Sequence, residues 1–144
     1  MCSHVDMVPY SDDVHHAFVF STFADSLRKL CMSGEIRSLE LSLRRALIDP
    51  SCKTAVAIPH DSWDEFLGWS VSLGDVLVYA YVRFPYRMSK IVSHVGDSLI
   101  RHVCSDDGSV RAALWTLDAS RMAGHGYPIR YDLDEHNRFR QLAR

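Results

Sequence analysis

The feature that most constrains the fold is a short apolar run, Val76–Val82, followed at once by a helical pattern. The run is rich in β-branched and aromatic residues and lies between Gly74-Asp75 and Pro85, which is typical of a strand covered on both faces. After Arg87 the apolar residues recur every three or four positions, as in an amphipathic helix: Val92, Val95, Leu99 and Val103. The sequence therefore predicts a buried central strand that leads through a short basic turn into a helix.

The predicted turn has the chemistry of an anion site. A helix start offers unpaired N–H groups and the positive end of the helix dipole, and Arg87 adds a guanidinium beside them. Such a corner suits a phosphate group. A basic helix start that contacts only water explains the same residues, and the sequence leaves both interpretations open.

Patterns on either side of the central strand predict the other elements. Ser11 followed by two aspartates predicts the start of a first helix, and a second helix is expected to end at Asp49-Pro50. Further strands are predicted at 54–58, 66–72, 110–117 and 128–133, with a tight connection at 73–75. The three strands before residue 83 are expected to form an antiparallel meander.

The segment 82–95 resembles the acyl-coenzyme A signature of the GNAT N-acetyltransferases, a family in which a strand ending in Val precedes a Tyr-Arg pair and a helix start. Tyr86, Arg87 and Ile91 stand where that pattern expects them. Leu67-Gly68-Trp69 and Gly126-Tyr127 resemble the third strand and the late turn of the family. The resemblance spans residues 14–131, and the layout is most similar to small GNAT-like proteins encoded by bacteriophages.

The resemblance implies an α+β fold with a GNAT-like mixed, mostly antiparallel sheet and helices on both faces. In that fold the sheet splits beside the central strand, and acetyl-coenzyme A (acetyl-CoA) enters the split. The residues expected to bind it are Tyr81, Val82, Arg87, Met88, Ser89, Lys90, Ile91 and Val92. No residue of this chain is assigned a catalytic role.

Three positions depart from the family pattern. Lys90 and Val92 replace the two small residues that let backbone N–H groups close on the pyrophosphate. Lys90 offers an ammonium to phosphate, but as a mobile point charge. Five residues before Tyr127, where many relatives carry a Tyr as general acid, the chain has Met122, which cannot donate a proton.

Two functional hypotheses follow. The first is an acetyltransferase-like enzyme that binds acetyl-CoA and transfers the acetyl group to an amine substrate. The second is a catalytically degenerate phage protein, a pseudoenzyme that has kept the scaffold and binds, inhibits or redirects a bacterial host protein. The second rests on the three departures and on the aromatic residues Trp63, Phe66 and Phe84, which are expected to be exposed and could form an interface.

Composition limits the remaining possibilities. With 144 residues and 47% hydrophobic content, one core is expected, in a single domain over 1–133 with a loosely held charged tail over 134–144. The 16 basic and 18 acidic side chains give no field that favours nucleic acid or a membrane surface, and no apolar run approaches the ~20 residues of a membrane span. Four cysteines without a CxxC pair predict reduced thiols in a cytoplasm, that of the host if the protein is phage-encoded.

Two histidine-containing segments are candidates for a metal site or a general base. His15 and His16 are adjacent on a helix and point about 100° apart, which is poor geometry for one metal, so no metal site is predicted. His60 lies in an acidic stretch with Asp61, Asp64 and Glu65, where a general base could sit, although a solvated loop is the favoured interpretation.

Overall fold

The structure is a computed structural model that describes residues 5–29, 33–60, 65–83, 99, 110–114 and 129–144. Within these residues the strands are β1 (Val5–Val8), β2 (Cys52–Pro59), β3 (Gly68–Leu73), β4 (Val76–Val82), β5 (Val110–Ala112) and β6 (Ile129–Tyr131). The helices are α1 (Asp12–Lys29), α2 (Ile36–Leu47), which follows a 3₁₀ turn at Ser33–Glu35, and α3 (Leu133–Gln141). No helix in these ranges is long and apolar enough to cross a membrane.

The strands form one sheet in the order β1-β2-β3-β4-β5-β6. The first four are antiparallel neighbours, whereas β5 runs parallel to β4 and β6 runs parallel to β5. The predicted α+β class with a mixed, mostly antiparallel sheet is confirmed, as is the meander that ends in the central strand. The β3–β4 connection turns at Gly74, whose φ of 58° lies in the left-handed region that glycine adopts without strain.

The sheet is covered on both faces. One face packs against the three helices, with Phe23 and Leu27 of α1, Leu43 of α2 and Phe139 of α3 in a common core. The other face carries small side chains from the central strands and packs against Leu99, whose backbone is helical. The small residues let Leu99 approach the sheet closely, and the central strands are buried on both sides as the sequence predicts.

A β-bulge in β4 decides which side chains face which layer. Val71 pairs with Tyr79 and Ser72 pairs with Leu77, so Val78 is the extra residue on β4. Because the bulge shifts the alternation by one position, Val78 and Tyr79 both face the helices. Beyond it Tyr81 also lies on the helical face.

The chain end corrects one prediction. The segment 134–144, expected to be loosely held, begins with helix α3, whose N-cap Asp132 accepts a hydrogen bond from the Glu135 N–H at 3.2 Å. Phe139 is 2% exposed and is part of the main core. The charged composition gave no indication of the helix because the buried Phe139 ring and contacts with β5 and α2 hold it in place.

Charged contacts fasten α3 at both ends. Glu135, whose side chain is 11% exposed, lies 2.8 Å from Arg138 and 3.6 Å from Arg111 of β5. At the other end Arg45 of α2 donates hydrogen bonds to the backbone carbonyls of Leu142 and Arg144. The last residues of the chain are therefore tied to both the sheet and α2.

Candidate functional site

The candidate site lies at the second half of β4, where the sheet changes from antiparallel to parallel. In the residues described, the β4–β5 register consists of Val76 with Arg111 and Leu77 with Ala112. The Ala113 N–H also donates to the Leu77 carbonyl at 2.9 Å. β4 then continues to Val82, five residues past the last register pair with β5.

The bulge falls at this junction. Val78 is the first β4 residue after the segment in register with β5. A bulge bends the strand that carries it and increases its twist. The bend therefore falls directly after the β4–β5 register pairs of the described residues.

The predicted cofactor-binding residues fall into two groups. Tyr81 and Val82 are in β4 but on opposite faces: Tyr81 is half-buried on the helical face, and Val82 is buried beside Leu99 on the other. The other six, Arg87, Met88, Ser89, Lys90, Ile91 and Val92, lie outside the described residues. Of the eight predicted cofactor-binding residues, the structure thus describes the two that lie in β4.

Tyr79 is a core residue. It is 1% exposed, and its ring centroid lies 5.3 Å from that of Phe23 and 4.8 Å from that of Trp69. The Phe23 ring meets it edge to face at 86°, a favoured aromatic geometry. Tyr79 therefore fixes β4 against α1.

One hydrogen bond sets the distance between α1 and β3. The indole N–H of Trp69 donates to the Thr22 hydroxyl at 2.8 Å, and that hydroxyl lies 2.8 Å from the Phe18 carbonyl, to which it can donate. A buried indole N–H needs such a partner because leaving it unpaired costs free energy. The pair holds α1 across the sheet next to β4.

A ring cluster, defined here as Tyr10, His15, Phe18, Phe66 and Tyr81, lies on the helical face near the end of β4. The Phe18 centroid is 5.3 Å from that of Phe66 and 6.1 Å from that of Tyr81, while His15 meets Phe66 edge to face at 5.2 Å. Phe66 is half-buried and packed, so the expectation that it is exposed is wrong. Trp63 and Phe84, expected to be exposed with it, lie outside the described residues.

His15 is the buried polar member of the cluster, with an exposed fraction of 5%. Its Nδ1 accepts a hydrogen bond from the Ser11 N–H at 2.9 Å, so the proton of the neutral ring is on Nε2. Burial lowers the pKa of His15, because charge is disfavoured away from water. His15 is therefore a neutral hydrogen-bond donor. The sequence offers His15 only as a possible metal ligand and contains no signal for this local hydrogen bond.

Tyr10, Asp12 and His16 form the rim of the ring cluster beside His15, and the Asp12 carboxylate contacts the other two side chains. The Tyr10 hydroxyl donates to Asp12 at 2.8 Å, and His16 Nδ1 lies 3.3 Å from the same oxygen. The hydrogen bond from Tyr10 lowers the pKa of Asp12, while burial and the bond to Asp12 raise the pKa of Tyr10. At neutral pH this rim thus holds an ionised carboxylate and a neutral phenol.

The other titratable candidates in the described residues are His60 and Cys52, while Asp61 and Asp64 of the acidic stretch lie outside those residues. His60 Nδ1 lies 3.1 Å from Asp6 across β1 and β2, and both side chains are exposed. Burial, followed by the nearby charge of Asp49, raises the pKa of Cys52 to about 11, so its thiol is protonated and unreactive at neutral pH. In the ranges that the structure describes, no three His, Cys, Asp or Glu side chains group as metal ligands.

Comparison of the chain with protein-family models, with curated proteins and with solved structures finds no match. Function is therefore inferred from the strand junction and from the residues of this chain.

Proposed function

We propose that the protein is acetyltransferase-like, of the GNAT kind, and binds acetyl-CoA where β4 parts from β5. The observation that supports this is the junction itself: four antiparallel strands, a bulge at Val78, and a parallel neighbour whose register pairs, among the described residues, are those of Val76 and Leu77. An extended chain such as pantetheine fits beside a strand that continues past its neighbour, because strand backbone pairs with extended ligands.

The diphosphate of the bound cofactor would lie at the turn after β4. Arg87 and Lys90 are the cations that the sequence places there. A guanidinium binds phosphate oxygens in a fork, whereas an ammonium acts as a point charge that can follow a moving ligand. Lys90 therefore substitutes charge for the close backbone approach that Val92 and its own side chain obstruct.

Transfer to an amine needs little chemistry from the protein. The amine nitrogen attacks the thioester carbonyl carbon, a C–N bond forms, the C–S bond breaks, and the amine loses one proton while the sulfur leaves as thiolate. A thiol has a pKa near ~8.5, so its anion can leave without a general acid, and Met122 in place of Tyr slows the step without preventing it. Orientation of the two reactants provides most of the acceleration.

The second candidate function is that of a phage pseudoenzyme that binds a host protein in the bacterial cytoplasm. The observation that favours it is the joint replacement at the chemical positions: Lys90, Val92 and Met122 stand where the family has two small residues and a Tyr. Under this hypothesis the fold serves as a scaffold and acetyl-CoA does not bind.

An acetylation assay with a matched pair of variants tests the first function. The protein is incubated with acetyl-CoA and a lysine-containing peptide, and free thiol is measured for the wild type, Arg87→Ala and Arg130→Ala. Arg130, an exposed residue of β6, serves as the control because it is a cation on another strand. Release of thiol that Arg87→Ala reduces at least tenfold and Arg130→Ala leaves unchanged supports the proposal. Equal rates in all three proteins, or no release, overturn it.

A further inference from the structure

The outward face of α2 combines arginines with exposed aliphatic side chains. Its inner side, with Leu39, Leu43 and Ala46, is fully buried. At 100° per residue the outward positions fall within an arc of about 120°, and all of them are exposed: Arg37, Ser38, Leu41, Arg44, Arg45 and Ile48. These six residues, called the α2 face below, include three cations and two large aliphatic side chains and no carboxylate.

The charge of the α2 face opposes that of the whole chain, which has a formal net charge of −2. Among the described residues, none of its three arginines forms a close ion pair with a side chain, although the Tyr10 hydrogen bond and, more weakly, the nearby charge of Arg44 lower the pKa of Asp12. Arg45 donates to backbone oxygens of Leu142 and Arg144, which fixes its position. The nearby Glu35 is engaged by Arg140 at 2.6 Å.

Arg44 is held in place by an aromatic ring. Its guanidinium carbon lies 4.9 Å from the centroid of the Phe20 ring, a cation–π contact. The planar guanidinium can stack on a ring and still present its edge to a carboxylate. Arg44 therefore meets a partner with little further loss of side-chain freedom, which lowers the cost of binding.

The apolar residues of the face have helical spacing. Leu41 is 36% exposed and Ile48 is 82% exposed, and they are seven residues apart, the repeat of a helix–helix seam. Arg37 and Arg44 lie along one side of this line and Arg45 along the other, in the positions where charged residues flank such a seam. This arrangement matches one helix laid along another.

We propose that the α2 face docks an acidic amphipathic helix of a partner protein. Aliphatic side chains of that helix would cover Leu41 and Ile48, and its carboxylates would meet Arg37 and Arg44. The inference concerns a surface distinct from β4 and holds whether or not acetyl-CoA binds.

Two other classes of partner fit the face less well. Single-stranded nucleic acid is bound by stacking bases on aromatic rings, and the centre of the α2 face is aliphatic. An anionic membrane surface is bound through a continuous apolar face that inserts between lipids, and two separated aliphatic residues supply little of that area. Binding of the protein to each of these two partners is measured in the test.

The test uses a designed peptide as the probe. A fluorescein-labelled three-heptad peptide carries Leu at the seam positions and Glu at the flanking positions, so that repulsion between glutamates opposes its self-association. Fluorescence anisotropy is recorded against the full-length protein. A matched peptide with Lys in place of each Glu, an oligo-dT strand, and vesicles of equal parts phosphatidylserine and phosphatidylcholine are measured in parallel.

Three variants complete the design. Arg37→Glu reverses one charge at the α2 N-terminus, where an acidic residue favours the helix dipole and leaves folding intact. Ile48→Asp places a charge on the most exposed aliphatic residue, and Arg130→Glu is the control reversal on β6. Circular dichroism confirms that each variant is folded.

We expect the wild type to bind the Glu peptide with a micromolar dissociation constant and not to bind the Lys peptide. Affinity for the Glu peptide should be at least tenfold weaker in Arg37→Glu and in Ile48→Asp, and unchanged in Arg130→Glu. It is overturned if the Glu peptide does not bind at millimolar protein, if both peptides bind equally, or if the variants at Arg37 and Ile48 bind like the wild type. Tighter binding of the oligonucleotide or the vesicles also overturns it.

Discussion

Truncation of Phe139 measures how strongly the C-terminal helix contributes to the fold. The ring is 2% exposed and belongs to the core that α1, α2 and the sheet share. Phe139→Ala removes the apolar area of the ring from the core and leaves a cavity, because well-packed neighbours relax only in part. Substitutions of this type cost ~3–5 kcal/mol, a large part of the stability of an ordinary domain.

Urea denaturation followed by tryptophan fluorescence gives the value directly. Trp69 lies in the same core cluster as Phe139 and reports loss of packing. For a chain of this size a loss of about 4 kcal/mol lowers the melting temperature by on the order of 10 °C. The matched control is Leu133→Ala in the same helix, where the side chain is 60% exposed and a change below ~0.5 kcal/mol is expected.

The reasoning fails if Phe139→Ala costs less than ~1 kcal/mol or no more than Leu133→Ala. Either result would mean that α3 does not complete the core and that 134–144 behaves as the loose tail expected from composition.

Three further perturbations test the contacts around β4. Burial lowers the pKa of His15, so as the pH falls below ~6.5 the unfolded chain takes up a proton before the folded chain does. The contribution of His15 to stability is therefore complete above that pH and declines below it. Urea midpoints measured between pH 7.5 and 5 should fall more steeply for the wild type than for His15→Gln. In Gly68→Ala the new Cβ would meet the Tyr81 carbonyl at 2.3 Å, so calorimetry should show a melting point lower by several degrees, and an unchanged value would contradict the close approach. Thr22→Val leaves the Trp69 indole N–H unpaired and should cost ~1–3 kcal/mol in urea, whereas Thr22→Ser should retain most of that stability.

Sequence patterns predict the central elements because their signals are local. The apolar run of β4 is bounded by turn residues, and α1 directly follows Ser11 and has two acidic residues in its first turn, so strand and helix could be placed without tertiary information. The antiparallel meander follows from short connections such as the one at Gly74.

Other features depend on contacts that no local pattern records. The bulge at Val78 has no sequence marker, since Val fits any strand position, and it is fixed by the packing of Tyr79 against α1. Helix α3 is mostly polar, and its buried Phe139 finds its partners only in the folded core. The donor role of His15 depends on a backbone N–H four residues earlier that is free only because a helix begins there.

The α2 face was not predicted because a local pattern does not say which side of a helix is covered. Leu41 and Ile48 fit the same three-and-four spacing rules as buried residues, and only the position of α2 on the sheet leaves them outside. The excess of arginine there is hidden in a chain whose total charge is near neutral.

Isothermal titration of acetyl-CoA into the purified protein tests the central claim most directly. If β4 and the turn that follows it accept the cofactor, the titration should give a dissociation constant in the micromolar range, a binding free energy of roughly 8 kcal/mol, with a stoichiometry of one. The protein should also melt at a higher temperature in the presence of millimolar acetyl-CoA. Absence of both heat and thermal stabilisation at that concentration would contradict the claim and leave partner binding as the function to pursue.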